Sequence, residues 1–132
     1  MPNRVVHFEI HADNIERAIK FYRQVFGWEF PKWMETPPYW GVMTGEKDSK
    51  EPGINGGLLS RPAPTSAEGK GANAFVCTVQ VDSYDTIHDK ILAAGGRVAL
   101  PKAAIPGMAW QGYYLDTEGN CFGVHQADKG AK

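Results

Sequence analysis

The sequence predicts an α+β protein made of two βαβββ modules, and three observations carry that prediction. The first is a repeat. Arg4 to Glu29 read RVVHFEIHADNIERAIKFYRQVFGWE, and Asn73 to Val98, NAFVCTVQVDSYDTIHDKILAAGGRV, return the pattern in register. Val6, Phe8 and Ile10 correspond to Phe75, Cys77 and Val79; Asp13 to Asp82; Ile15 to Tyr84; Tyr22 to Ile91; and Gly27 to Gly96. The second is a change of period within each copy, from an alternating strand to an amphipathic helix with an acidic cap and a glycine stop. The third is the stretch Arg61–Gly71, RPAPTSAEGKG, whose Pro, Gly and small polar residues mark a linker between the halves. Two copies of one supersecondary unit usually bury a shared core, and a cleft between them is a natural place for a small molecule.

The elements follow in order. Strand one is expected over Arg4–His11, with Val6, Phe8 and Ile10 on one face and His7, Glu9 and His11 on the other; the greasy face belongs under the helix. Asp13 with Glu16 resembles a capping box, Ile15, Ala18, Ile19, Tyr22, Val25 and Phe26 form the helix stripe, and Gly27 ends it. Strands are expected at Trp28–Met34, Tyr39–Thr44 and Ile54–Ser60, the first two split by Thr36-Pro37-Pro38. Module one thus spans about residues 1–61 and module two about 72–126. The second copy has a strand at Ala74–Val81, a helix at Ser83–Ala94 with Tyr84, Ile87, Ile91 and Leu92 inward, and strands at Arg97–Ala103, Met108–Asp116 and Cys121–Gln126. The turn Asp116–Asn120 suits a short antiparallel connection, Ile105–Met108 reads as a hairpin turn rather than a lid, and the polar tail Ala127–Lys132 is expected to fray.

Composition narrows the function. The 132 residues suit one domain, or two half-domains that need each other, each of about 65 residues and near the lower limit of independent stability. A net charge of -1 with interspersed signs argues against nucleic acid, which favours a basic stripe. No apolar run approaches the length of a membrane helix, and the opening Met-Pro-Asn-Arg lacks the apolar core of a signal peptide. Cys77 and Cys121 have no disulfide spacing and sit in apolar patterns, which fits core packing and a reducing, cytoplasmic setting.

The opening VVHFEIHADNIERAIKFYRQVFGWEF, the central GINGGLLSR and the closing GYYLDTEGNCFGVHQ together resemble the vicinal-oxygen-chelate superfamily of glyoxalases, extradiol dioxygenases and bleomycin-resistance proteins. The chain looks closest to a bacterial branch described as glyoxalase-like or related to lactoylglutathione lyase. The resemblance implies that each module curls its mixed sheet into a half-barrel, that the paired concave faces form the cleft, and that the protein is a homodimer. In metal-dependent members the ligands come from the first and last strand of each half. The positions that match here are His7, Val76, Gly57 and Gly123, so His7 alone keeps a ligating side chain. A glyoxalase needs a divalent Lewis acid and an extradiol dioxygenase two histidines and a carboxylate on iron. The resemblance therefore implies the fold rather than either reaction, and no cofactor is expected.

The chemical candidates form two groups. His7 and Glu9 lie about 7 Å apart on one strand face and suit an acid–base or ligand-orienting pair; His11, beside the helix cap, is expected to be solvated. His125, two residues beyond Gly123, could join His7 and Glu9 in an atypical divalent metal site. The aromatics Trp40, Trp110, Tyr113 and Tyr114 fall on the third strands; Trp110 and Tyr114 share a face by parity, and Tyr113 points the other way. With Trp40 and His125 they are the candidate wall for an organic ligand, the other reading being core or dimer interface. Gly56, Gly57, Gly112 and Gly123 interrupt strands, which marks bulges or room at a pocket floor. The expectation is a protein that binds a small organic molecule. The alternative is a lyase or isomerase acting through His7 and Glu9, and a third option is a domain whose role is assembly.

Overall fold

A computed structural model describes residues 7–62, 64 and 76–132. The chain divides into two compact units, Met1–Pro64 and Thr65–Lys132. Both are α+β and repeat one order of elements. Unit one contains β1 (Glu9–Ala12), α1 (Ile15–Phe26), β2 (Lys32–Glu35), β3 (Pro38–Val42) and β4 (Gly56–Ser60). Its sheet runs β1-β4-β3-β2, with β1 parallel to β4 and the other pairs antiparallel. Unit two contains β5 (Thr78–Gln80), α2 (Tyr84–Ala93), β6 (Arg97–Ile105), β7 (Ala109–Leu115) and β8 (Cys121–Ala127), in the matching order β5-β8-β7-β6. Glu9 lies opposite Gly57 in one unit and Thr78 opposite Gly123 in the other. The repeat read from the sequence is thus also a repeat of strand register. Residues 4–6, 74 and 75 of the expected first strands, and most of the expected linker, lie outside the described residues.

The alternation in strand one orients unit one. Ile10 and Ala12 are buried with Leu58 and Val42 on the face that meets α1, while Glu9 and His11 turn to the other face. The helix buries Ala18, Phe21, Tyr22 and Val25, the i, i+3, i+4, i+7 set of one face. That corrects the expected stripe: Phe21 is central to it, whereas Ile15, Ile19 and Phe26 are only half-buried at its margins. Gly27 stops the helix at φ +74°, its N–H donating to the Arg23 carbonyl. The cap also differs. Asn14, in extended conformation, accepts the Arg17 N–H, whereas Asp13 pairs with Arg61 at 3.1 Å. Replacing Asn14 by Ala should cost about 1 kcal/mol of stability in a denaturant titration; no change would show that the first turn is capped by another group.

The second strand starts later than expected because Trp28 is used elsewhere. Its ring stacks on Tyr22 at 5.2 Å and 6° and on Phe26 at 5.0 Å and 26°, which closes the end of α1 rather than extending a ladder. In α2 the cap is Ser83, accepting the Thr86 N–H. Leu92, expected inward, is exposed, and the buried face carries Tyr84 and Ile91. The left-handed stop falls at Gly95, φ +95°, one residue before the Gly96 expected from the repeat. The turn before β8 is held by Asp116, whose buried carboxylate accepts the N–H groups of Glu118 and Asn120 at 2.8 and 2.9 Å, while Gly119 supplies a positive φ.

The tail does not fray. Gly107 donates to the Ala131 carbonyl, Asp128 N to the Met108 carbonyl, and Trp110 Nε1 to Asp128 Oδ2 at 2.9 Å; Ala131 is buried. These bonds anchor the tail to the β6–β7 hairpin, whose turn at Ile105–Met108 closes with the Met108 N–H on the Ile105 carbonyl.

Candidate functional site

The open face of the unit-one sheet, opposite α1, carries a connected set of polar side chains. His7 Nε2 lies 3.0 Å from the Tyr39 hydroxyl, which donates to Glu9 Oε2 at 2.9 Å. His11 Nε2 lies 3.2 Å from Glu9 Oε1. Donor counting fixes the directions. A phenol has one proton, and Tyr39 gives it to Glu9, so its oxygen accepts from His7 Nε2–H. A carboxylate only accepts, so His11 Nε2–H donates to Glu9. The two histidines thus present their Nε2 protons inward, and His7 keeps Nδ1 as an acceptor when neutral.

Burial pushes the Glu9 carboxyl upward most strongly, but the hydrogen bonds from His11 and Tyr39, with the charges of His11 and His7, outweigh it and leave it below its ordinary value of 4.5. Partial burial first, then the bond to Glu9 and its charge, push the Tyr39 phenol up to about 12. Glu9 therefore stays ionised at neutral pH and is a weak base; it orients rather than abstracts. A lowered carboxyl stabilises the folded arrangement above its unfolded value, and that contribution disappears as pH falls through the folded one. A carbon-13 NMR titration of the Glu9 carboxyl should give a midpoint below 4.5, and a midpoint above it would remove the network from the account.

Two glycines make the bed for the aromatic part. Gly41 and Gly57 are cross-strand neighbours on β3 and β4 and share the Glu9 face. A methyl on Gly57 would collide with the Tyr39 ring and hydroxyl, and one on Gly41 with the Trp33 indole. Both rings therefore lie against bare backbone, 6.3 Å apart with their planes 20° from parallel. The indole reaches this place through a β-bulge. Lys32 pairs with Trp40 but Met34 pairs with Tyr39, so β2 spends an extra residue, Trp33, and Trp33 and Met34 share the open face. Trp33 remains 50% exposed.

The structure separates the residues nominated from sequence. His7 and Glu9 stand together on the open face of unit one, and His11 joins them half-buried and bonded to Glu9 instead of solvated. His125 occupies the corresponding face of unit two, with Nδ1 2.8 Å from Gln111 Oε1. Trp40 pairs with Leu58 and so lies on the helix side of its sheet, with the Lys32 ammonium 5.1 Å from its ring. Tyr114 is 1% exposed in the core of unit two, where its hydroxyl donates to Tyr84 and contacts His88 Nδ1 at 2.8 Å. Trp110 shares that helix-side face and has Lys102 Nζ 4.6 Å from its ring. Strand parity thus puts all three aromatics on faces opposite to those of the three candidate polar residues.

The glycines are corrected too. The β4 and β8 registers run without a shift at Gly56, Gly57 and Gly123, so these positions are not bulged. Gly57 makes room for Tyr39, and Gly112 lies opposite an irregularity of β6 and makes room for the Tyr84 hydroxyl. Cys77 is exposed rather than a core residue, Cys121 is half-buried, and desolvation pushes both thiols upward. Tyr39 and Trp33, the residues that complete the site, were not among the candidates. Their signal was the pairing of a strand aromatic with glycines on the neighbouring strands.

The four positions that match the superfamily's ligand set do not suit a metal ion. His7 commits its Nε2 to Tyr39, Val76 has no donor, the side-chain space of Gly57 is filled by Tyr39, and that of Gly123 by Thr78 and Gln111. Among the described residues no three His, Cys, Asp or Glu side chains converge where they could hold one ion.

Comparison with known proteins agrees with this fold. Residues 4–45 match the family model described as bleomycin resistance protein-like N-terminal. A glyoxalase/bleomycin resistance protein/dioxygenase family enzyme from Burkholderia phytofirmans PsJN is 21% identical, over 92% of this chain and 97% of that one, with a TM-score of 0.69. The genomically encoded fosfomycin resistance protein FosX from Listeria monocytogenes is 13% identical over 97% and 96%, with a TM-score of 0.70. An antibiotic binding protein from Streptomyces sp. CB03234 is 20% identical over 96% and 98%, with a TM-score of 0.66. No curated protein matches the chain. The chain thus has the fold of these proteins, and residues 4–45 are similar in sequence to the bleomycin resistance protein-like N-terminal family.

Proposed function

We propose that this protein binds a small organic molecule on the open face of unit one, without a metal ion. The observation that carries the reading is the hydrogen-bonded line His7–Tyr39–Glu9–His11 beside a half-exposed Trp33 laid flat on Gly41. Polar groups already ordered by one another, next to an exposed aromatic plane, are what a ligand site needs and a solvated surface does not. The antibiotic-binding and fosfomycin-resistance proteins that share the fold support the class of ligand. The reading includes a homodimer, supported by the exposed apolar side chains Val98, Leu100 and Met108. It also includes a reducing, cytoplasmic setting, supported by two unpaired cysteines. Among the described residues, no helix is long and apolar enough to cross a membrane.

A thermal-shift screen of antibiotics and other small organics against the intact protein tests the reading. His7→Ala should leave the unassisted melting temperature within about 2 °C, as befits an exposed side chain, and abolish the shift produced by hits. Hits that survive both His7→Ala and Trp33→Ala would refute the site. A second reading, a lyase or isomerase, rests on His7 Nδ1 as the acceptor left over by the Tyr39 bond. There His7 would move the proton and Glu9 would hold Tyr39.

A further inference from the structure

We propose that the ligand of this face is a planar cation rich in hydrogen-bond donors, stacked on Trp33 and bonded at its edge by Glu9 and His7. The inference deepens the binding reading above and rests on it. It starts from shape. Trp33 and Tyr39 each lie against a glycine of the sheet, their centroids 6.3 Å apart and their planes 20° from parallel. Trp33 is 50% exposed and held flat by its glycine, and the match for an aromatic face is another plate. Met34, brought to the same face by the bulge, adds a soft, exposed thioether beside it.

The second step is hydrogen-bond polarity. The protons of this cluster are already used: His7 Nε2–H goes to Tyr39, the Tyr39 hydroxyl to Glu9, and His11 Nε2–H to Glu9. What the cluster offers a newcomer is acceptors: the remaining lone pairs of the Glu9 carboxylate and Nδ1 of neutral His7. A ligand that brings acceptors finds these three protons already engaged, and an anion meets the Glu9 charge. A ligand that brings N–H groups and positive charge meets a charge-assisted bond at the edge and a favourable indole face below.

The test uses the intact protein and three probes followed by calorimetry and tryptophan quenching: proflavine (a flat diaminoacridinium), anthracene-9-carboxylate (a flat anion) and amantadine (a cation without a plane). Proflavine should bind at least about tenfold tighter than either of the others, and both Glu9→Gln and Trp33→Ala should weaken it by about tenfold or more. Circular dichroism of the two variants should be unchanged, because both side chains are exposed. If the anionic plate binds as tightly as proflavine and still needs Trp33, this inference is overturned while the binding reading stands. If proflavine binds equally to Glu9→Gln, the same follows. If neither plate binds the intact protein, this inference falls, and the screen with His7→Ala decides the fate of the binding reading independently.

Discussion

Phe21→Ala is expected to lower the free energy of unfolding by about 3–5 kcal/mol. Phe21 is 1% exposed and the largest fully buried side chain contributed by α1. It meets Tyr22 edge-on at 5.0 Å and 89°, and Tyr22 in turn stacks on Trp28. Truncation removes apolar contact from the helix that covers the unit-one sheet and leaves a cavity that neighbouring rings fill incompletely. A domain of this size has on the order of 5–15 kcal/mol in hand, so a large part of the margin goes. Urea titration followed by near-ultraviolet circular dichroism measures it. A loss below about 1.5 kcal/mol would mean that α1 is not the lid of this core. By contrast, substitution of Ile15 or Ile19, half-buried at the edge of the stripe, should cost clearly less.

Gly57→Ala is expected to abolish ligand binding while costing about 1–3 kcal/mol of stability. The added methyl would occupy the space of the Tyr39 ring and hydroxyl. Tyr39 is half-buried and able to swing outward, so the cost in stability falls at the lower end. Moving it breaks both the His7–Tyr39 and Tyr39–Glu9 bonds and takes the phenol ring away from Trp33. Gly53→Ala is the control, since a methyl there meets nothing within 4 Å. Unchanged binding by Gly57→Ala would place the ligand away from the Gly57–Tyr39 contact. Tyr39→Phe separates the two contributions: it keeps the ring on its glycine but deletes the hydroxyl that bridges His7 and Glu9.

What could be read from the sequence follows from how local each cause is. The alternation of Glu9, Ile10, His11 and Ala12 sets the faces of β1, and the glycine at position 27 stops α1, because both causes act within a few residues. The choice between Asp13 and Asn14 as cap is a local competition too, but it is decided by Arg61, which claims Asp13 from far along the chain. The same holds for the tail, where Asp128 is held by Trp110.

The site was half legible. His7 and Glu9 stood out because two ionisable groups on one strand face need an explanation. Trp33 stayed hidden because a bulge changes strand parity, and Lys32-Trp33-Met34 does not announce which residue is extra. Tyr39 stayed hidden because its partner glycine lies on another strand. Trp40, Trp110 and Tyr114 drew attention as large aromatics, yet parity sends them to the helix side.

The most direct measurement is a crystal structure of the protein, purified without chelator, with proflavine or a screening hit bound. The account predicts the ligand lying on Trp33 and Tyr39 with its polar edge at Glu9 and His7. An ion held by His7 with two or more other side chains, or a ligand seated away from this face, would contradict it.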